Sequence, residues 1–358
     1  MKKAILLNDT QNWYHWGCYL TSHCLKALIA EKYALQPSVS IMQLRQIPYA
    51  PQHFSDFTDA AFLQKYAADN SNIINMMQKA DVIFINGEGS MHGSSALALN
   101  LLLLVVIGKL VLNKTVCLVN HSVYPNDSDQ WLDNPLGQLY ARVYQLLDDV
   151  AIREPVSLRL MQQAGIEKAR QAFDCSVLAL APSAHTRERT ITIGGSVAFT
   201  AEGVQSLLQV LQPYRQAGYR LQFVYGAAAH GAEDDLAFLC LLNQQDICRV
   251  EALCCHSIDD FVQALAQASL LVSGRFHYTL AAYALGTPPV LLGSNTPKNH
   301  ALADWLALPG PLPWQPQLIV EQLHERIKAG LHDLQFAAQS AATLKGLQGL
   351  AAGNILSL

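Results

Sequence analysis

The feature that most constrains this chain is a rhythm. Short β-rich runs alternate with helix-length stretches along nearly all of its 358 residues. The first series of strand candidates is Ala4–Asn8, Ser38–Leu44, Val82–Asn86, Thr115–Asn120 and Val150–Arg153. Helical stretches lie between them near 16–33, 58–79, 95–112, 134–148 and 155–164. A second series follows at Thr190–Gly194, Tyr219–Tyr225, Cys248–Leu253, Ser269–Ser273 and Pro289–Leu292. Strands separated by helices predict parallel sheets with helical crossovers.

The chain is longer than one compact core usually covers, so two domains are expected. Residues 1–177 hold the first series and 191–316 the second. Between them, Leu178–Thr190 carries the Pro, Ser and mixed charges of a linker. The predicted fold class is α/β, with two doubly wound, Rossmann-like domains facing across a cleft. The last segment, 317–358, is mostly helical and is expected to pack back on the first domain.

Composition narrows the function classes. Hydrophobic residues make up 51% and charged residues 15%, with a net charge of -4 and no basic run. Phosphate-driven nucleic-acid binding is therefore not expected. So apolar a composition points to either a homo-oligomer or a peripheral membrane association. The run Ala96–Gly108 is too short to span a bilayer, is interrupted by Asn100 and is closed by Lys109, so it reads as a buried helix. Met1–Asn8 reads as a first strand and not a signal peptide. Eight scattered cysteines without a Cys-x-x-Cys spacing argue for free, mostly buried thiols in a reducing cytoplasm.

Open parallel sheets bind ligands at the carboxyl ends of their strands. In this sequence the isolated polar residues gather there. Asn8-Asp9-Thr10 and Asn12–Cys18 follow the first strand, and Gly87–His92 the third; His121-Ser122 follow the fourth and Arg153-Glu154-Pro155 the fifth. In the second series the same places hold Gly194–Ser196, Tyr225-Gly226 with His230, Cys254–His256, Ser273–His277 and Asn295–Lys298.

Each has a functional and a structural reading. Gly87-Glu88-Gly89 is a tight turn or a functional loop, and lacks both the Walker and the G-x-G-x-x-G patterns. His121 is a catalytic or a core histidine. His92 lies beside Glu88 on the next helix or caps it. His15 and Trp16 form a sugar-stacking platform or simply pack. His256 reads as part of a helix cap, and Asp127-Ser-Asp129 as a solvated turn. Arg153 precedes a helix opened by Pro155, which suits an anion; the structural reading is a salt bridge to a carboxylate across the domain. Ser273–His277 combines most: a strand end, a glycine for close approach, and two cations in the first helical turn, where backbone N–H groups favour an anion.

Together, Asn86–His92, Ala151–Ser157, Asp174 before a short apolar strand, Ser273–His277, Ala284–Val290 and Lys298 resemble the polysaccharide pyruvyl transferase family over roughly residues 4–305. The chain departs from the family where many members carry an Asn-x-Gly-Asp loop, having Asn8-Asp9 and Gly17-Cys18 instead. The resemblance implies a GT-B-like architecture. It implies a transferase that moves the enolpyruvyl unit of phosphoenolpyruvate onto a sugar of a bacterial surface polysaccharide or its precursor, as a cyclic ketal. It implies no cofactor and no metal site. The acceptor is a saccharide, free or lipid-linked, and the enzyme is cytoplasmic or at the inner membrane face, without a transmembrane segment.

On this reading Arg275, Arg153, Ser273, Gly274 and Lys298 bind the donor. His277, then His121 and Glu88, carry the acid–base work. Asn8, Asp9, His15, Trp16 and His92 shape the acceptor side. The alternative is a GT-B glycosyltransferase using a CMP- or UDP-sugar, whose diphosphate the same helix start would hold.

Overall fold

The computed structural model describes residues 1–13, 16–124, 131–182, 186–225, 233–244 and 247–358. Contacts divide the chain into two units. Met1–Asn12, Thr21–Cys175 and Gly349–Leu358 form the first; Trp13–Leu20 and Ser176–Gln348 form the second.

The first unit is built on β1 (Lys3–Asp9), β2 (Ala34–Leu35), β3 (Val39–Ser40), β4 (Val82–Glu88), β5 (Thr115–His121), β6 (Asp149–Ile152) and β7 (Ala169–Gln171). Their order is β2-β1-β4-β5-β6-β7, with β3 also on β1, and every pairing is parallel. The chain builds outward from β1 in one direction, then returns to build from β4 in the other. The switch in winding therefore falls between β1 and β4.

The second unit holds β8 (Thr190–Ile193), β9 (Arg220–Tyr225), β10 (Glu251–Cys254), β11 (Leu270–Ser273) and β12 (Pro289–Leu291), in the all-parallel order β10-β9-β8-β11-β12. Its switch falls between β8 and β11. Ile191, Ile193, Phe223 and Val272 anchor its core against Leu207 and Leu211 of the helix Ala201–Gln216. Burying each such side chain contributes about 1.5–3 kcal/mol.

All ten strands of the two series appear. The Ser38–Leu44 candidate is extended only at Val39–Ser40, because Ser40 and Gln43 form a capping box that starts the helix Ile41–Arg45. The strand expected after Asp174 is instead a 3-10 turn, Cys175–Ala179. The 58–79 stretch breaks at Asn70 into Ala60–Asp69 and Ser71–Lys79.

The apolar run is the helix Ala96–Val106, capped where Ser95 Oγ accepts from Ala98 N and continued by a π turn at Ile107–Val111. It is buried nearly all round, as a helix without a polar face must be. Its one interior amide, Asn100, accepts a 3.0 Å bond from Tyr66 Oη. Among the described residues no helix is long and apolar enough to cross a membrane.

Two helices, Pro316–His332 and Phe336–Ala352, end the chain. Beyond them Asn354 is fully buried in the first unit, where its amide donates to Phe173 O at 2.7 Å and accepts from Asn120 N at 2.8 Å. Tyr33 Oη binds the backbone of the same tail at Leu356 and Leu358.

Candidate functional site

At the switch point of the second sheet, two strand ends meet with almost no side chain between them. A Cβ on Gly194 would lie 2.4 Å from Ser273 Oγ, and one on Gly274 would lie 2.5 Å from Ser196 Oγ and 2.7 Å from Gly293 O. The missing side chains let Gly274 N donate to Gly195 O at 3.1 Å, so the turn after β11 is tied to the turn after β8. Ser273 Oγ accepts from Arg275 N at 3.0 Å, and Asn299 Nδ2 donates to Gly274 O at 3.0 Å. Both bonds fix the chain as it enters the helix Phe276–Ala284.

Arg275 is the N-cap of that helix and His277 its second residue. Both are buried, at 8% and 7% exposure. Arg275 Nη2 donates to Asp235 Oδ1 at 2.5 Å. The His277 ring packs so closely on Gly17 that a Cβ there would come within 2.3 Å of it. Trp16 stacks on Phe261 with 6.4 Å between ring centroids and meets Tyr19 edge-on, so packing accounts for this indole. Lys298 opens the helix Lys298–Trp305 and is half-buried.

The first sheet's switch point is closed by amides. Asn8 Nδ2 donates to Asn86 O at 2.7 Å, and Asn86 Nδ2 returns a 3.3 Å bond to Asn8 O. Three buried residues at adjacent strand ends hold positive φ: Asn8 at 61°, Glu88 at 35° and Asn120 at 53°. Asparagine tolerates this region; a glutamate there is strained, and such strain gathers at functional sites. Glu88 Oε2 accepts from Thr10 Oγ1 at 3.2 Å, and Thr10 is itself tied to Ser22.

His121 is fully buried. Its Nε2 lies 2.8 Å from Tyr144 Oη, and its ring sits where a Cβ on Gly87 would be, 2.4 Å from Nδ1. Burial, with Arg153 nearby, holds its pKa down to about 3, so the ring is neutral near pH 7. These are the surroundings of a core histidine held at one ring nitrogen by a tyrosine hydroxyl; among the described residues Nδ1 meets no hydrogen-bond partner.

For Arg153 the ion pair is present: Nη1 lies 2.7 Å from Asp174 Oδ2, with side chains 1% and 0% exposed. Arg153 Nε also donates to Ser122 Oγ at 2.8 Å. Asn120 joins this cluster, donating to Asp174 Oδ2 at 3.3 Å and accepting from Cys175 N at 2.9 Å. The next residue, Glu154, caps the helix Pro155–Gln163 through Ser157 N, and burial raises its pKa against those bonds.

Asp9 is ion-paired with Lys26 at 2.9 Å and bonded by Ser38. Burial opposes the charge, yet Ser38, Gln11 N and Lys26 together leave its pKa below the usual value. His92 is on no helix: the next one starts at Ala96 with Ser95 as its cap, and His92 Nδ1 meets Tyr124 O at 2.7 Å in an isolated bridge. His256 precedes the cap Ser257, as its structural reading has it. His15, His230 and Asp127-Ser-Asp129 lie outside the described residues.

No group of three or more His, Cys, Asp or Glu arranged to hold a metal occurs among the described residues. A cavity of about 420 Å³ in the second unit, lined by Thr190, Arg220, Gln222 and Gln263 among others, takes in Cys254 and His256 of the strand-end group but none of the residues expected to bind donor or acceptor or to carry acid–base work. Sequence reasoning did not single out Asp235, Tyr144, Asn299 or Asn120. Only Asn120 left a signal, as a polar residue at the end of an apolar strand.

The family model described as polysaccharide pyruvyl transferase matches residues 15–296. No curated protein matches the sequence significantly. Solved structures share the GT-B-like α/β fold. Staphylococcus aureus MnaA with UDP is 12% identical at a TM-score of 0.63, over 99% of this chain and 94% of that one. A putative UDP-N-acetylglucosamine 2-epimerase from Listeria monocytogenes is 11% identical at 0.60, over 98% and 94%. Anabaena HepE with UDP and glucose is 14% identical at 0.56, over 99% and 96%. At such identities the likeness is one of fold.

Proposed function

Because this chain belongs to the polysaccharide pyruvyl transferase family, we propose that it transfers the enolpyruvyl unit of phosphoenolpyruvate to a saccharide of a bacterial surface polysaccharide or its precursor, closing a cyclic ketal. The observation that carries this reading is the convergence of Arg275, His277 and a helix start on the glycine-lined switch point of the second sheet. Phosphoenolpyruvate brings a phosphate and a carboxylate. A guanidinium at a helix N-terminus, with Lys298 at the start of the helix after β12, suits both.

A proton passes to the enol methylene, and the oxocarbenium-like carbon that forms is attacked by one sugar hydroxyl. Phosphate leaves, and the second hydroxyl closes the ring. Of the two hydroxyl protons released, one balances the new methyl group and the other leaves with phosphate. We assign the proton transfer at the donor to His277. Glu88, held by Thr10, is the carboxylate for acceptor hydroxyls, with Asn8 and Asp9 at the end of the neighbouring strand β1. His121, neutral and sealed, acts here by supporting the Gly87–Glu88 turn, and Arg153 by holding Asp174 and Ser122.

The rival reading is a glycosyltransferase, favoured by a fold shared with structures solved with UDP. Thermal shift separates the two. Donor at a hundred times its Kd stabilises by about 2.7 kcal/mol. Stabilisation by phosphoenolpyruvate but not by UDP or CMP is expected, and is lost in Arg275→Ala. The reverse pattern would install the rival. With phosphoenolpyruvate and acceptor, His277→Ala should reduce phosphate release by at least about 100-fold, the usual scale of acid–base catalysis.

A further inference from the structure

We infer that Asp235 is a positioning residue for Arg275, aiming the guanidinium at the donor's anion; the inference rests on the donor reading above. Three adjacent strands supply the parts. Asp235 is in the first turn of the helix Glu233–Gln244 after β9, Gly195 lies in the turn after β8, and Arg275 follows β11. The carboxylate crosses above Gly195 to reach Arg275. A Cβ on Gly195 would sit 2.3 Å from Asp235 Oδ1 and 3.5 Å from Arg275 Nε, so only glycine leaves the passage open.

Stability does not explain this carboxylate. Asp235 is fully buried, and its second oxygen, Oδ2, is buried with no hydrogen-bond partner among the described residues. A buried ion pair gains little over apolar packing even when all its atoms are satisfied, and a half-satisfied one gains less. What the contact does supply is orientation. Arg275 carries a long side chain with much rotamer freedom, and one oxygen at 2.5 Å from Nη2 anchors that end of its fork before any ligand arrives. The opposite role is that of a fixed negative charge that competes with the donor for Arg275. The two roles predict opposite signs.

The test is phosphoenolpyruvate binding to the full chain by calorimetry. Asp235→Ala should raise Kd at least tenfold. Asp235→Asn, which keeps an oxygen acceptor and drops the charge, should stay within about threefold of wild type. In an Arg275→Ala background, Asp235→Ala should have no further effect. Unchanged or tighter binding by Asp235→Ala overturns the inference, as does Asn behaving like Ala.

Should Asp235→Ala not fold, Asp235→Glu keeps the charge and displaces the oxygen. Weaker binding then supports the role, and wild-type binding overturns it. If Arg275→Ala alone leaves binding unchanged, it is the donor reading that fails. If Arg275→Ala weakens binding while Asp235→Ala does not, only the positioning role fails.

Discussion

An imidazole sealed from water ties the fold to pH. His121 titrates near 3 in the native chain against about 6.5 when unfolded. Between those values the native state binds fewer protons than the unfolded one, so stability falls as pH falls through that window. Denaturant titrations should show a contribution approaching ~1.4 kcal/mol per pH unit from this residue, and His121→Asn should flatten the dependence. A wild-type curve already flat from pH 6.5 to 4 would remove His121 from this role. At this scale the sequence reveals types and not partners. Arg275, His277 and Glu88 stand out because ionisable groups are rare beside apolar runs. Asp235 does not, because an acid in the first turn of a helix is ordinary and its partner lies 40 residues away. Tyr144 likewise looks like core until the fold brings it to His121.

Elements were far more legible. Strands of a parallel sheet are buried on both faces, so each reads as an apolar run, and the crossover helices space the runs apart. The exceptions have local causes. Strands β2 and β7 are two and three residues long, too short to leave a run, and Ser40 caps a helix where the pattern still looked extended. Turns between elements carry the tightest tolerances. A methyl on Gly274 meets a backbone carbonyl, which cannot step aside as a side-chain tip can. Gly274→Ala should therefore cost about 1–3 kcal/mol and lower Tm by on the order of 5 °C. It should also abolish stabilisation by phosphoenolpyruvate, which scanning calorimetry with and without the donor would read. A fully stable, donor-responsive variant would mean that the strand ends tolerate more space than their contacts allow.

On the scale of the whole molecule, two parallel sheets followed from the rhythm, but the membership of each unit did not. Trp13–Leu20 groups with the second unit, an exchange that no composition shift marks; of the segment 317–358 expected against the first domain, only Gly349–Leu358 groups with the first unit. The clearest consequence lies at Asn354, whose amide serves Asn120, a partner of Asp174, and Phe173, the residue before Asp174. Asn354→Ala strands a buried N–H and a buried C=O, at about 1–3 kcal/mol each. Hydrogen exchange should quicken at 116–121 and 172–175 while β11 keeps its protection. Equal loss in both units would count against so local an effect.

That same tail sets a clock for biosynthesis. A ribosome adds about 5–20 residues each second, so residues 176–348 occupy it for on the order of 10 to 30 s after Cys175 has been made. Throughout that interval the first sheet has all its strands, but the Asn120 N–H lacks the Asn354 oxygen that accepts from it in the complete fold. The first unit to begin is thus the last to be finished.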